Sequence, residues 1–391
     1  MKNFNYNQST KILFGKGRIN ELAEVVLQYG KKVLLVTTPA GIPALQVQYE
    51  KVIKILTDSG IEVAHYDGVI PNPTVETISK GAKMAREFDA EVIIGLGGGS
   101  SMDSAKAISV EATHEGTSWD YLFYKSPQPD VTKLLPIIAV STTSGTGSQV
   151  TQVAVITNPD VRDKSALYNN ILYPLVAIID PELMISVPKF VTATTGFDVL
   201  CHAFECTINP GTGAYVDLLA WEAITIVAEY LPRVFADLND VNAREKMAWA
   251  DTLAGLCIAN AGVTLPHGMG MAIGGMYPHV AHGESLAIVY PAFAEFTWHV
   301  AIPQFSALAR ILNSKLKEVS DNEAASKCPD EIVKFLKGIG LYKSLKDVNV
   351  PANEIEALAK QCMVLPDYKG NPRVATKEEM IELVKRSYEF V

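Results

Sequence analysis

The apolar positions change their period once along the chain. In the first half, short β-branched runs alternate with amphipathic stretches. KKVLLVT (31–37) and IEVAHYD (61–67) read as strands, since short apolar runs bounded by turn residues suit a buried pleated surface. YEKVIKILTDSG (49–60) has helical spacing and closes on Gly60. TVETISKGAKMAREF (74–88) is a second helix, with Thr74 placed to cap it. AEVIIGLGGG (90–99), LLPIIAVSTT (134–143) and LVAIIDPEL (175–183) supply further strands, the last of them closing the series. Strand–helix alternation predicts a parallel sheet covered by helices. After about Pro188 the β-runs nearly vanish. Long segments at 215–238 and 243–262 have helical spacing instead. The pattern therefore predicts an α/β domain over residues 1–185 and an all-helical domain over 186–391.

Composition supports two domains. The chain has 391 residues, of which 48% are hydrophobic and 20% charged, enough to bury a large core. A net charge of −9 repels phosphate backbones, so no nucleic-acid partner is expected. Five scattered cysteines form no CxxC pair, which suits reduced thiols in a cytoplasm. The polar start MKNFNYNQST has no apolar core of a signal peptide. Residues 252–283 contain no Asp, Glu, Lys or Arg, but Asn260, Pro266, three histidines and many glycines interrupt them. They read as a buried stretch, and no membrane partner is expected.

Two loops carry the first chemistry. GLGGGSSMDSAKAIS (95–109) follows a buried strand and opens a helix. Glycines there let backbone approach a ligand, and a helix N-terminus favours phosphate. Gly95 and Gly97 fit a dinucleotide fingerprint, whereas Ser100 stands where the third glycine belongs. The next strand runs into STTSGTGSQ (141–149), a loop of hydroxyls, glycines and a glutamine, and PNPT (71–74) lies at the same edge. Together they predict a nucleotide site.

The second chemistry lies in GFDVLCHAFEC (196–206), where Asp198 and His202 stand four residues apart and so share a helix face. Alone, the pair reads equally well as a satisfied core hydrogen bond. Downstream, His267, His279 and His282 fall in the segment that lacks fixed charge. One carboxylate and three imidazoles suit a divalent metal, Fe²⁺ or Zn²⁺, with a position open for a substrate oxygen. A metal beside a nicotinamide implies hydride transfer between an alcohol and the cofactor, the cation favouring loss of the hydroxyl proton. Phe197, Met269, Met271, Met276 and Tyr277 are candidate walls of a small apolar pocket, which favours short alcohols or diols.

At these residues the chain resembles the iron-dependent (group III) alcohol dehydrogenases, which include lactaldehyde reductase, 1,3-propanediol dehydrogenase and butanol dehydrogenases. The matching segments are PNPT (71–74), GGGSSMDSAKA (97–107), STTSGTGSQV (141–150), IIDPEL (178–183), TTGFDVLCHAFE (194–205), PHGMG (266–270), HGESLAIVYP (282–291) and GNPRVATKEEM (370–380). They run in order over nearly the whole chain. The resemblance implies an N-terminal dinucleotide-binding α/β domain with a parallel sheet and an all-α C-terminal domain, a dehydroquinate synthase-like architecture. It implies metal ligands Asp198, His202, His267 and His282. It puts NAD(P) on Thr38, Asn72, Gly98, Gly99, Ser100, Asp103, Thr142, Thr143, Thr146, Ser148 and Lys164. It also implies Fe²⁺ ahead of Zn²⁺, a small alcohol or aldehyde substrate, and a homodimer or higher homo-oligomer.

Some residues depart from the family pattern. His267 and His282 are one residue farther apart than usual, so His279 competes with His282; the sequence after His282 continues the family pattern and favours it. His279 is then either a catalytic proton relay or a packing residue. Met271 stands where many members have a second histidine, and Gln149 where many have Glu. Thr38 replaces an Asp common in NAD-preferring members, which admits NADP, but no Arg or Lys lies nearby to hold a 2′-phosphate, so NAD(H) is expected first. The alternative activity is an NAD- and metal-dependent lyase or synthase of the dehydroquinate synthase type. It would need basic residues for a charged substrate, and segments 194–210 and 261–283 have none.

Overall fold

The apolar runs of the first half form strands buried on both faces. The computed structural model describes residues 2–124 and 128–389, so the outer limits of the expected domains, residues 1 and 391, lie outside it. Its strands are β1 (Lys11–Phe14), β2 (Lys32–Val36), β3 (Glu62–Tyr66), β4 (Val92–Gly97), β5 (Ile137–Ser141), β6 (Val153–Asn158), β7 (Asp163–Tyr168) and β8 (Val176–Ile179). Six of them make one sheet in the order β1-β8-β5-β4-β2-β3, every pair parallel. Val33 and Leu35 face one core and Leu34 and Val36 the other. Two covered faces explain why these strands read as continuous apolar runs rather than alternating ones.

The helices of this half are α1 (Leu22–Val26), α2 (Pro43–Thr57), α3 (Val75–Glu87) and α4 (Gly99–Thr113). Thr74 caps α3 through a reciprocal pair with Thr77, each side chain bonding the other's backbone N–H. The chain runs from β2 outward to β3, then crosses back to add β4 on the other side of β2. That reversal creates a crevice at the carboxyl ends of β2 and β4. The sequence pattern missed β1, a four-residue edge strand with only Leu13 buried, and the antiparallel hairpin β6–β7. Both carry mixed polar and apolar residues, which leave a weak periodic signal.

From Lys189 on, the described residues form helices: α5 (Lys189–Ile208), α6 (Ala214–Ala236), α7 (Val241–Ala261), α8 (Leu265–Met276), α9 (His282–Thr297), α10 (Ile302–Leu312), α11 (Asp321–Gly338), α12 (Ile355–Gln361) and α13 (Lys377–Tyr388). The chain divides into two compact units. One spans Asn7–Pro188, and the other begins at Lys189 and takes in the N-terminal residues through Tyr6. Tyr6 joins the helical unit by packing its ring 4.2 Å from that of Tyr215.

Helix α5 is buried along nearly its whole length and packs against α6, α7 and α9. Phe197 is a core residue rather than a pocket wall. It has no exposed surface and meets Tyr290 edge-on at 5.3 Å. Met269 is likewise core. Among the described residues no single helix is long and apolar enough to cross a membrane, and the apolar pair α7–α8 bends by 100°.

Candidate metal centre

The face of α5 that carries Asp198 and His202 continues one turn on to Glu205, all three buried. Two other helices bring histidines to it by their N-terminal turns. His267 lies in the first turn of α8 and His282 is the first residue of α9. Gly283 permits the second approach: a Cβ there would collide with the backbone carbonyl of Thr194 on α5.

Asp198 Oδ1 stands 3.4 Å from His267 Nε2, 3.6 Å from His202 Nε2 and 3.9 Å from His282 Nε2. The donor atoms of Asp198, His267 and His282 all fall within 4.8 Å of one another. The rings of His202 and His267 stack at 4.6 Å. Burial pushes the Asp198 carboxyl up, yet the imidazoles of His202, His282 and His267 outweigh it and hold the group at about 2. Burial would lower His267, but Glu205 and Asp198 carry it up to about 10. A carboxylate ionised at such low pH, ringed by imidazoles, is set to bind positive charge, whether protons or a cation.

The residues fit a divalent metal. Asp198 Oδ1 and His267 Nε2 are buried and neither is satisfied by a hydrogen bond, their mutual approach being ionic. Buried polar atoms of this kind require a partner. One carboxylate oxygen and several imidazole nitrogens are donors that iron and zinc both accept. The possible metal site is thus Asp198, His267 and His282, with His202 alongside.

His279 stands apart from this group. It is exposed, and its Nε2 donates to the backbone carbonyl of Val348 at 2.8 Å. Met271 is buried, and the Tyr277 hydroxyl donates to Glu354 at 2.6 Å. The sequence reading missed Glu205. Its Oε1 accepts from His267 Nδ1 at 2.7 Å, and its Oε2 accepts from the Thr264 N–H at 2.7 Å and hydroxyl at 3.2 Å. A fully buried Glu one turn beyond a histidine, in an apolar helix, is the signal that would have found it.

The other unit gathers the expected nucleotide residues at the carboxyl edge of its sheet. Thr38 follows β2, Asn72 lies beyond β3, Gly98, Gly99 and Ser100 follow β4, and Thr142, Thr143 and Thr146 follow β5. Lys164, on β7, reaches this edge by donating to Asn72 Oδ1 at 2.8 Å. Asn72 itself is left-handed, at φ 55°. Helix α4 opens at Gly98 with no side chain capping it, so the N–H groups of its first turn suit a phosphate. Gly98 and Gly99 also let the two loops approach: a Cβ would lie 3.0 Å from Thr143 Oγ1 at Gly98 and 2.5 Å from Thr146 Cγ2 at Gly99. Thr38 shares a 3.0 Å hydrogen bond with the Tyr49 hydroxyl.

Two residues expected to touch the cofactor are turned inward. Asp103 Oδ1 accepts from Ser148 Oγ at 2.6 Å and its Oδ2 from the Val155 N–H at 3.0 Å. The pair braces the second loop. Lys106, also missed, completes the brace. Fully buried, its ammonium donates to the carbonyls of Ser148, Thr151 and Val153 at 2.7, 2.8 and 2.7 Å. Burial lowers this ammonium to about 8 despite the opposing charge of Asp103.

Known proteins resemble both units. The sequence pattern of the iron-containing alcohol dehydrogenases matches residues 9–181, and that of the C-terminal part of the Fe-containing alcohol dehydrogenase family matches residues 192–388. Choline dehydrogenase of Bacillus subtilis is 36% identical over 380 residues, 97% of this chain and 94% of that protein. The NAD-dependent methanol dehydrogenase of Bacillus methanolicus is 31% identical, over 96% of this chain and 97% of that protein. Among solved structures, an archaeal halo-thermophilic alcohol dehydrogenase from a Red Sea brine pool superposes with a TM-score of 0.94 at 35% identity, covering 99% of this chain and 100% of that one. A 1,3-propanediol oxidoreductase gives 0.91 at 32% identity, covering 99% and 100%. With both units matched and a carboxylate–imidazole cluster suited to iron, the chain belongs to the iron-containing alcohol dehydrogenase family.

Proposed function

We propose that this chain interconverts small primary alcohols or diols and their aldehydes with NAD(H), and that Asp198, His202, His267 and His282 hold one divalent iron. The convergence of three imidazole Nε2 atoms on Asp198 Oδ1 carries this reading. When bound, such a cation supplies Lewis-acid polarisation of the substrate oxygen. Asp198 contributes the negative charge that retains it, and three of the four donors, Asp198, His202 and His267, are buried. On the nucleotide side, the start of α4 and the hydroxyls of Thr142, Thr143 and Thr146 hold the pyrophosphate, and Lys164, fixed by Asn72, supplies a positive charge. Thr38 engages Tyr49 and brings no cation for a 2′-phosphate, which supports NAD(H) over NADP(H). Five free, buried cysteines accord with a reducing cytoplasm.

The test strips the protein of metal, reloads it with Fe²⁺ or Zn²⁺, and follows NADH and NADPH consumption with a panel of short aldehydes. Metal-dependent turnover that is faster with NADH is expected. Equal rates in stripped and reloaded protein would overturn the metal assignment, and faster turnover with NADPH would overturn the cofactor assignment.

A further inference from the structure

Metal binding through His267 Nε2 requires the ring proton to sit on Nδ1. Glu205 meets that nitrogen at 2.7 Å with a carboxylate oxygen, which only accepts. Its second oxygen takes the backbone N–H of Thr264 at 2.7 Å and the Thr264 hydroxyl at 3.2 Å. Thr264 is the N-cap residue of α8, and no side chain of its own caps that helix. Glu205 has no exposed surface. It comes from α5, the same helix that carries Asp198 and His202. One carboxylate therefore joins two helices, receives the N–H of the residue that caps α8, and fixes the ring three residues further in.

We infer that Glu205 is a positioning residue: it sets the metal-binding tautomer and orientation of His267, and locks the start of α8 to the α5 face that bears Asp198 and His202. The inference rests on reading His267 as a ligand. An acceptor on the far nitrogen also makes the ligating nitrogen more basic and holds its ring plane. Glutamine cannot replace the carboxylate. Its amide must turn an NH₂ group toward either the Thr264 N–H or the His267 Nδ1–H, and the second choice moves the ring proton to Nε2.

The experiment uses the full chain loaded with Zn²⁺. Affinity is measured by competition with a chelator, and the His267 Nδ1–H is observed by proton–nitrogen NMR. Glu205→Gln is expected to weaken Zn²⁺ roughly 10–100-fold and to abolish the low-field Nδ1–H resonance. Glu205→Asp, which keeps the acceptor at a longer reach, should recover part of both. Thr264→Val removes only the longer of the two bonds that Oε2 receives from Thr264, 3.2 Å from the hydroxyl, keeps the backbone N–H bond and the bond to His267, and should cost less than Glu205→Gln. Wild-type affinity and resonance in Glu205→Gln would overturn the inference, as would an equal loss in Thr264→Val, which would make the role one of helix capping. If Glu205→Gln does not fold, wild-type values in Glu205→Asp overturn it equally. His267→Ala serves as reference: were it to retain wild-type Zn²⁺ affinity, the metal assignment would fail rather than the role of Glu205.

Discussion

The nucleotide loops and the metal cluster use the same polypeptide in opposite ways. At the loops, the proposed phosphate contacts are backbone N–H groups, while charged side chains serve as braces: Asp103 on Ser148 and Val155, and Lys106 on three carbonyls. At the metal cluster, side chains of Asp198, His267 and His282 face one another and the helices serve as rigid posts. Phosphate is large and accepts many hydrogen bonds, so N–H groups on a glycine-rich turn suffice. A cation needs lone pairs at set directions, which only buried and braced side chains supply. Damage should therefore travel differently in the two regions.

The largest effect expected is at a ligand itself. His267→Ala should lower metal affinity by more than the roughly 100-fold upper range of outer-shell changes and take turnover to background, with NADH binding intact. Metal analysis and fluorescence titration of NADH check both arms, and loss of NADH binding would show that the two regions do not act separately. Lys106→Met strikes the brace of the other region. Without the ammonium the carbonyls of Ser148, Thr151 and Val153 lose a buried donor, a cost of about 1–3 kcal/mol read by urea unfolding, and NADH affinity should fall while metal content stays whole.

A pair of glycines sharpens the contrast. Gly99→Ala pushes a methyl group into Thr146, and Gly283→Ala pushes one into the Thr194 carbonyl. Each should destabilise by about 1–3 kcal/mol, but the first should weaken NADH and the second Zn²⁺. Identical phenotypes would sink the distinction. The centre should also respond to pH in a way the loops do not. His267 in the metal-free fold is raised to about 10 from an ordinary 6.5, so below about 10 a metal must displace its proton. Zn²⁺ affinity should rise by about tenfold per pH unit between pH 7 and 8, and a flat profile would show that no proton leaves. In the metal-free protein the same raised value contributes stability that is whole below about 6.5 and lost as pH rises toward 10. The smallest effect is expected at His279. Its alanine variant should lose the bond to Val348 and the edge contact with Tyr277 and change turnover less than about twofold, since a single hydrogen bond outside the metal cluster contributes little. A large fall with a shifted pH profile would restore it as a proton relay.

The two regions also differed in how openly the sequence announced them. Strand runs such as VLLV and VIIGLG, and the glycine cluster after the second, state their role locally, because a parallel strand is apolar on both faces and a tight phosphate turn needs missing side chains. The family resemblance supplied an ordered set of motifs over nearly the whole chain. The spacing of Asp198 and His202 stated one face of one helix. It did not state that Glu205, a turn further on, would reach Thr264 and His267, or that Lys106 would be spent on carbonyls far along the chain.

What the sequence determined by itself was therefore whatever is encoded by period and local backbone freedom: the apolar strands and helices of the sheet's centre, the glycine turns, and the residue types able to hold a nucleotide and a cation. Tertiary structure alone decided which of those polar residues face a ligand and which face the protein. Asp103 and Ser148, expected at the cofactor, bond each other, Phe197, a candidate wall, lies in the core, and His279, read as a relay or a packing residue, bonds Val348. The physical reason is that a polar group must be satisfied wherever it is buried. Its partner is chosen by packing between segments far apart in the chain, which no local spacing records.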